Sequence, residues 1–432
     1  MCYNKPMKIA FFSDCYLDLT GGIVTTITAQ KKELEKRGHT VYVFSSSYKK
    51  TPTETAKLAK NHIFPVKSCR FFGRGATPIA RRPRIVEKQI LREHPEIKDF
   101  DIFYIHYEAG CSIAGLRLGK NLKVKTIQVM HGREDIGIEG HIPRGLRTIV
   151  ATCLNWFHSW YLPHPVKIKR DAYLASTIAA AKMWSLMVNH ANSADLVLTP
   201  SKHFQQKLLH YGVKKPLKVL PNGVEDELFD PTITPRSITP GEPLRMIWHS
   251  RIYREKRLLP FLESLRLLEQ SALGLSDYSG KKVYCLDVYG GGDDYNRAQR
   301  FIKKHRLNVV LHGDTPFYKI YPAIKIAHLD ILNSYNYDTF GMTLIEAESA
   351  GTPVLFVDPD LKETVPAAGA VFVQSDIENS PPSPDKVAET LKSLIASPDN
   401  IKKMSEVMLK NRDNSRVSKI VDKLEKYIRI ES

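Results

Sequence analysis

Short apolar runs alternate with amphipathic stretches along the whole chain. Lys8–Phe12 is a strand-like apolar run, and the polar loop after it ends in Gly21-Gly22. Ile23–Arg37 then has helical spacing, with Ile27 and Leu34 on one face, until Gly38-His39 stops it and TVYVFSS resumes as a strand. This β-loop-α-β order is the opening of a parallel α/β domain. Further buried strands are predicted in DIFYIHY (101–107), TIQVMHG (126–132), ADLVLTPS (194–201) and LKVLPNGV (217–224).

Four prolines and several Ser and Thr residues break the periodicity at 229–243, which reads as a linker. A second series follows: LRMIWHS, a helix from about Leu258, VYCLDVYGGG, NVVLHGD, LDILNS and TPVLFVD. Strands alternating with helices in both halves predict an α/β fold of two Rossmann-like parallel-sheet domains facing each other across a cleft. The expected division is 1–228, a linker at 229–243, and 244–432, with the lysine-rich terminal helices (roughly 385–430) free to pack back on the first domain.

Composition narrows the class. A chain of 432 residues with 43% hydrophobic content suits two domains with substantial cores. It has no apolar run long enough for a spanning helix and no signal-peptide pattern at its start. The six cysteines are scattered without a CxxC pair, which fits neither a disulfide framework nor a zinc site and suits a reducing cytoplasm.

The formal charge of +17 is concentrated. Residues 57–92 carry ten Lys/Arg against Glu87, and residues 141–218 carry eleven against Asp171 and Asp195, so each segment contributes +9. Such asymmetry points to an anionic partner, lipid or nucleic acid, with an incidentally basic solvated surface as the alternative. Within the second segment, Trp156, Phe157, Trp160 and Tyr161 lie among Arg144, Arg147, Lys167, Lys169 and Arg170. That mixture suits an element lying at a membrane interface. A core helix with a basic face, or stacking on nucleic-acid bases, fits the same residues, but no nucleic-acid-binding module accompanies them. Arg81, Arg82 and Arg84 add to the expected lipid-facing set.

Candidate chemistry lies in loops after strands. Gly21-Gly22 permits close backbone approach to a phosphate or sugar, although a glycine pair alone also fits a plain loop. Arg251 and Lys256 follow the first strand of the second half and can clamp a diphosphate. Gly290–Gly292 lacks the GxGxxG spacing and reads as a tight turn, which disfavours a dehydrogenase. Asp293-Asp294 has no visible third ligand, so no metal site is expected. His131 ends a strand where a substrate would lie. In Tyr337–Val354, Asp338 and Glu346 bracket a helix entry, where backbone N–H groups of Phe340, Gly341, Met342, Thr343 and Leu344 can meet an anion while the carboxylates accept sugar hydroxyls.

Taken in order, TGGIVTTITAQKKELEKRGHTVYVF, LPNGV, SRIYREK, YGGG and TFGMTLIEAESAGTPV resemble the retaining glycosyltransferases of family 4, which have the GT-B fold. The region NLKVKTIQVMHGREDIGIEGH looks most like bacterial diacylglycerol glucosyltransferases. The resemblance implies a metal-independent enzyme without a cofactor, using a nucleotide diphosphate-sugar as donor. It places Asp338 on the donor sugar, Glu346 on the ribose, and Phe340–Leu344 with Arg251 and Lys256 on the diphosphate. Gly22 would lie near the donor phosphates and His131 beside the transferred sugar. Two positions depart from the pattern: Asp338 stands where Glu is usual, and Ser250 where Gly usually precedes the arginine. The expected acceptor is a membrane lipid such as diacylglycerol, reached by a cytoplasmic protein peripheral on the inner face of the plasma membrane. A lipid-carrier or soluble acceptor remains open, as does a non-enzymatic nucleic-acid-binding protein.

Overall fold

The computed structural model describes residues 5–17, 21–70, 78–80, 82–162, 166–239, 241–271 and 282–430. Two units result: the chain up to Gly223 with the residues from Ile420 on, and Val224–Lys419.

The first unit holds β1 (Lys8–Ser13), α1 (Gly22–Lys36), β2 (Thr40–Ser46), α2 (Pro52–Ala59), β3 (Ile63–Val66), β4 (Ser68–Arg70), β5 (Pro78–Ala80) and α3 (Pro83–Glu93). It continues with β6 (Ile102–His106), α4 (Gly110–Leu122), β7 (Lys125–Val129), α5 (Glu134–His141), α6 (Arg147–Ser159), α7 (Ile178–Ser193), β8 (Leu196–Thr199), α8 (Lys202–His210) and β9 (Leu217–Val219). Seven strands pair in the order β3-β2-β1-β6-β7-β8-β9, all parallel. Phe12, Phe44, Phe103 and Ile105 are buried in one core with Ile113 and Leu116 of α4. Central strands covered on both faces by helices need near-continuous apolar runs, which is why FYIH and KIAFF were legible. The antiparallel pair β4-β5 was not foreseen.

The second unit holds β10 (Leu244–His249), α9 (Leu258–Ser271), β11 (Tyr284–Tyr289), α10 (Tyr295–His305), β12 (Val309–Gly313), α11 (Phe317–Ile326), β13 (Leu329–Leu332) and α12 (Met342–Ser349). After these come β14 (Val354–Phe356), β15 (Ala370–Phe372), α13 (Pro384–Ala396), α14 (Asp399–Asn411) and the start of α15 (Val417–Ile430). Its six-stranded parallel sheet has the order β12-β11-β10-β13-β14-β15. Both sheets are therefore doubly wound.

The segment 229–243, expected as a linker, is instead an integral part of the second unit. Phe229 is buried with Val224, Phe340 and Ile345. The backbone N–H of Arg236 donates to Ser405 Oγ at 2.8 Å, and its guanidinium to the Ala350 carbonyl at 2.7 Å. The prolines mark an irregular segment fastened to its domain. At the other end, α13 and α14 stay with the second unit, whereas the residues from Ile420 on join the first. There His39 Nε2 meets Glu425 Oε1 at 2.6 Å, Arg37 meets Asp422 at 2.7 Å, and Lys125 Nζ donates to the Ile428 carbonyl. Among the described residues no helix is long and apolar enough to cross a membrane.

Candidate active site

Ligands of open parallel sheets bind beyond the carboxyl ends of the strands, where the strand order reverses. In the second unit that point lies between β10 and β13. Ile247 is in register with Asp330, so the loops after the two strands leave the sheet side by side.

Those loops bring three expected residues together. Lys256 Nζ lies 2.6 and 2.9 Å from the two carboxylate oxygens of Asp338, with both side chains largely buried. Ser334 Oγ also donates to Asp338. Arg251 donates from Nη2 to the Tyr337 hydroxyl at 3.1 Å, and Lys256 Nζ sits 5.0 Å from the centroid of the same ring. Tyr337 thus joins the two cations, a role the sequence reading did not give it. The signal was present, an aromatic adjacent to the acid.

Gly290–Gly292 supports this loop by close packing. A Cβ on Gly290 would fall 2.1 Å from the Ser250 carbonyl oxygen, and one on Gly292 2.5 Å from that of Ile252. Ile252 N–H donates to the Gly291 carbonyl at 2.7 Å. The glycines therefore let two backbones touch, in keeping with the tight turn expected of them. Of the neighbouring acidic pair, Asp294 is bonded to Arg297 at 2.8 Å. Among the described residues no group of three His, Cys, Asp or Glu is placed to hold a metal.

Gly341 precedes α12 at φ 76°, a left-handed conformation that glycine adopts without a Cβ penalty. Phe340 is anchored by its buried ring and by Thr364 Oγ1 donating to its carbonyl. The first turn of α12, with Met342 and Thr343, carries the positive end of the helix dipole. One of the five backbone donors expected for an anion, that of Leu344, is used inside the turn, donating to the Gly341 carbonyl at 2.9 Å.

Glu346 is buried on α12. Its Oε2 lies 3.5 Å from His249 Nδ1, and the other ring nitrogen of His249 is 2.7 Å from Asp330 Oδ2. Burial pushes the Glu346 carboxyl up, with His249 pulling it back and Asp330 adding to the rise. Burial disfavours the His249 imidazolium, but the carboxylates of Asp330 and Glu346 prevail and its pKa is raised. Sequence reasoning missed both His249 and Asp330, although His249 closes the apolar run LRMIWH much as His131 closes TIQVMH.

The first unit reverses its strand order between β1 and β6. Asp14, just past β1, accepts from the N–H groups of Cys111 and Ser112 and from Ser46 Oγ, so it caps the start of α4. His131, beyond β7, is buried with Nε2 2.9 Å from Nδ1 of His106. Among the described residues His106 Nε2 is buried without a partner. An orphaned N–H is costlier than an orphaned lone pair, so His106 carries its proton on Nδ1 and donates to His131. Burial lowers the His131 pKa to about 4 and that of His106 well below its ordinary value, keeping both rings neutral. Close by in sequence, Glu108 is buried with Oε1 unpartnered among the described residues, and its carboxyl is raised well above normal by burial and then by Glu134. Glu134 itself rises to about 7, through burial and then Asp135. Gly21 caps α1, which starts at Gly22.

The basic aromatic segment divides across α6. Ile149, Cys153, Trp156 and Trp160 are exposed, at i, i+4, i+7 and i+11, with Trp156 and Trp160 in ring contact at 4.1 Å. Phe157 and Tyr161, expected at the same interface, instead turn inward against the first unit's core. Arg144, Lys167, Lys169 and Arg170 are exposed. Arg147 is engaged elsewhere: its guanidinium donates to the Ile142 and Glu139 carbonyls and so caps the end of α5. Arg82 and Arg84 are exposed at the start of α3, and Arg81 lies outside the described residues.

Comparison with known proteins gives concordant results. The model of Glycosyltransferase Family 4 matches residues 20–228, and that of Glycosyl transferases group 1 matches residues 230–411. The Alpha-monoglucosyldiacylglycerol synthase of Streptococcus pneumoniae is 23% identical over 408 residues, spanning 91% of this chain and 79% of that protein. The protein of the same name from Acholeplasma laidlawii is 28% identical over 128 residues, 29% of this chain and 30% of that one. Among solved structures, Anabaena HepE in complex with UDP has a TM-score of 0.66 at 14% identity, covering 98% of this chain and 99% of its own. S. aureus TarM in complex with UDP and α-GlcNAc-glycerol has a TM-score of 0.68 at 12% identity, covering 98% and 100%. At these identities the structural likeness establishes the fold.

Proposed function

This chain is a glycosyltransferase of the family 4 type with the GT-B fold, and we propose that it transfers a hexose, glucose first among candidates, from a nucleotide diphosphate-sugar to a hydroxyl of a membrane lipid such as diacylglycerol, with retention. The observation that carries the donor half is the Lys256–Asp338 pair with Arg251 at the switch point of the second sheet, where cations and a carboxylate stand at one strand end. A diphosphate needs the former and a sugar hydroxyl the latter. Asp338 receives the donor sugar, Glu346 the ribose, and the α12 entry with Arg251 and Lys256 the diphosphate.

In the reaction the bond from C1 to the phosphate oxygen breaks, with its electron pair passing to the diphosphate. Arg251 and Lys256 stabilise the charge that develops there. Asp338 is committed to Lys256 and Glu346 to His249, so neither carboxylate is disposed as a nucleophile. The acceptor oxygen therefore attacks C1 from the face the phosphate leaves, and its proton goes to the departing phosphate oxygen. No metal enters this scheme. Neutral His131 serves as a hydrogen-bonding group for a sugar hydroxyl.

The acceptor half rests on α6. An exposed stripe of Ile149, Trp156 and Trp160 beside Arg144, Lys167, Lys169 and Arg170 suits peripheral binding to the anionic inner face of a membrane. The names of the two curated relatives favour diacylglycerol over a soluble acceptor.

The test is to incubate the protein with UDP-glucose and vesicles of anionic phospholipid containing diacylglycerol, with and without EDTA. A diacylglycerol product gaining one hexose, undiminished by EDTA, is the expected result. Transfer only to a water-soluble acceptor, with no sedimentation on vesicles, would overturn the lipid assignment. Trp156→Ala with Trp160→Ala should weaken vesicle binding about tenfold or more, because two large apolar surfaces no longer enter the interface.

A further inference from the structure

We propose that His249, held by Asp330, is a positioning residue for Glu346 that makes the enzyme select the ribose of its donor nucleotide. The inference rests on the reading of Glu346 as the ribose carboxylate. A buried carboxyl tends to hold its proton, and a protonated Glu346 would lose half of its capacity to accept from two adjacent hydroxyls. The His249 ring lies 3.5 Å from Glu346 Oε2, so an imidazolium there favours the ionised carboxylate and fixes one of its oxygens. Its charge is maintained from the opposite side, because Nε2 is 2.7 Å from Asp330 Oδ2. Among the described residues the remaining oxygen of Asp330 has no partner, and beside the Ile331 backbone N–H the His249 ring is what holds that carboxylate. Lys256 is the other cation acting on His249 and is itself paired with Asp338.

The placement is a consequence of the sheet. Asp330 points from β13 and His249 ends the neighbouring β10, two positions after the residue in register with Asp330. Glu346 comes to the same pair from α12, which follows β13. All three side chains are buried, so the chain of contacts is held without help from surface loops.

Calorimetry with UDP and with 2′,3′-dideoxy-UDP, on the wild type, His249→Gln and Asp330→Asn, tests this. The wild type should prefer UDP by about tenfold or more, the scale of hydrogen bonds to a charged acceptor. His249→Gln should lose most of that preference while its affinity for dideoxy-UDP stays within about threefold of wild type, since only the ribose contact is disturbed. Asp330→Asn should act in the same direction more weakly, and it carries the test if His249→Gln does not fold. Variants that keep the full preference would overturn the role of His249 and leave the ribose reading intact. An equal loss for both nucleotides would reduce His249 to a structural part. A wild type indifferent to the ribose hydroxyls would instead remove the ribose reading of Glu346, and the inference with it.

Discussion

The two switch points share a topology and differ in how they keep buried acids and bases. At the second, Asp338 lies against Lys256, and both Asp330 and Glu346 lie against His249, whose pull offsets part of the rise that burial gives their carboxyls. At the first, the histidines are neutral and the carboxyls of Glu108 and Glu134 are pushed toward their protonated forms. Arg133, the cation in the loop after β7, is bonded at 2.6 Å to Asp135. The same parallel scaffold therefore supplies fixed charge in one place and uncharged hydrogen-bonding groups in another. Fixed charge matches a diphosphate leaving group. Neutral groups match hydroxyls and avoid repelling or trapping an ion.

The strongest blow to this contrast is removal of the cation at the charged site. Lys256→Ala should lower kcat by about a hundredfold to a thousandfold, the usual effect of deleting one group that stabilises developing negative charge. Circular dichroism should show the fold retained, and turnover near wild type would refute the role of Lys256. At the neutral site the effect should be smaller. His131→Asn should reduce kcat by about tenfold, the value of one neutral hydrogen bond. Because burial holds His131 near pKa 4, the wild-type rate should show no protonation of this ring between pH 8 and pH 5. A limb near pH 6.5 that disappears in the variant would mean that the ring is solvated and the site is not neutral.

The charged site was more legible in the sequence than the neutral one, for physical reasons. Arg251, Lys256 and Asp338 lie in loops directly after strands, and strand ends can be located from apolar runs. His249 and Asp330 sit inside those runs, where a polar residue looks like an interruption. Their meeting depends on β10 and β13 being sheet neighbours, which no local pattern encodes. Glu108 and Glu134 were overlooked because their unusual character comes from burial. The inward turn of Phe157 and Tyr161 was hidden in the same way, since four clustered aromatics do not reveal which side of α6 meets the core. The prolines of 229–243 signalled the loss of periodicity correctly but not its cause, an irregular segment tied to Ser405 and Ala350.

The finest test of the contrast is a change of stability with pH. The Glu134 carboxyl has a folded pKa of about 7 against an ordinary 4.5, raised by burial and then by Asp135. A carboxyl raised in the fold contributes no penalty below pH 4.5, and its cost grows as pH rises through 7. Glu134→Gln removes that cost. The variant should therefore match wild type near pH 4.5 and melt a few degrees higher at pH 8, about 1–2 kcal/mol for a half-buried group. His106 and His131 have the opposite sign, because their lowered pKa values make the fold lose stability as pH falls below 6.5. Both histidines are present in variant and wild type, so they cancel in the difference between the two melting curves, which reports Glu134 together with its repulsion of Glu108. A gain that is equal at both pH values would show packing alone, and a loss at pH 8 would place an unrecognised cation beside this carboxylate and end the distinction between the two sites.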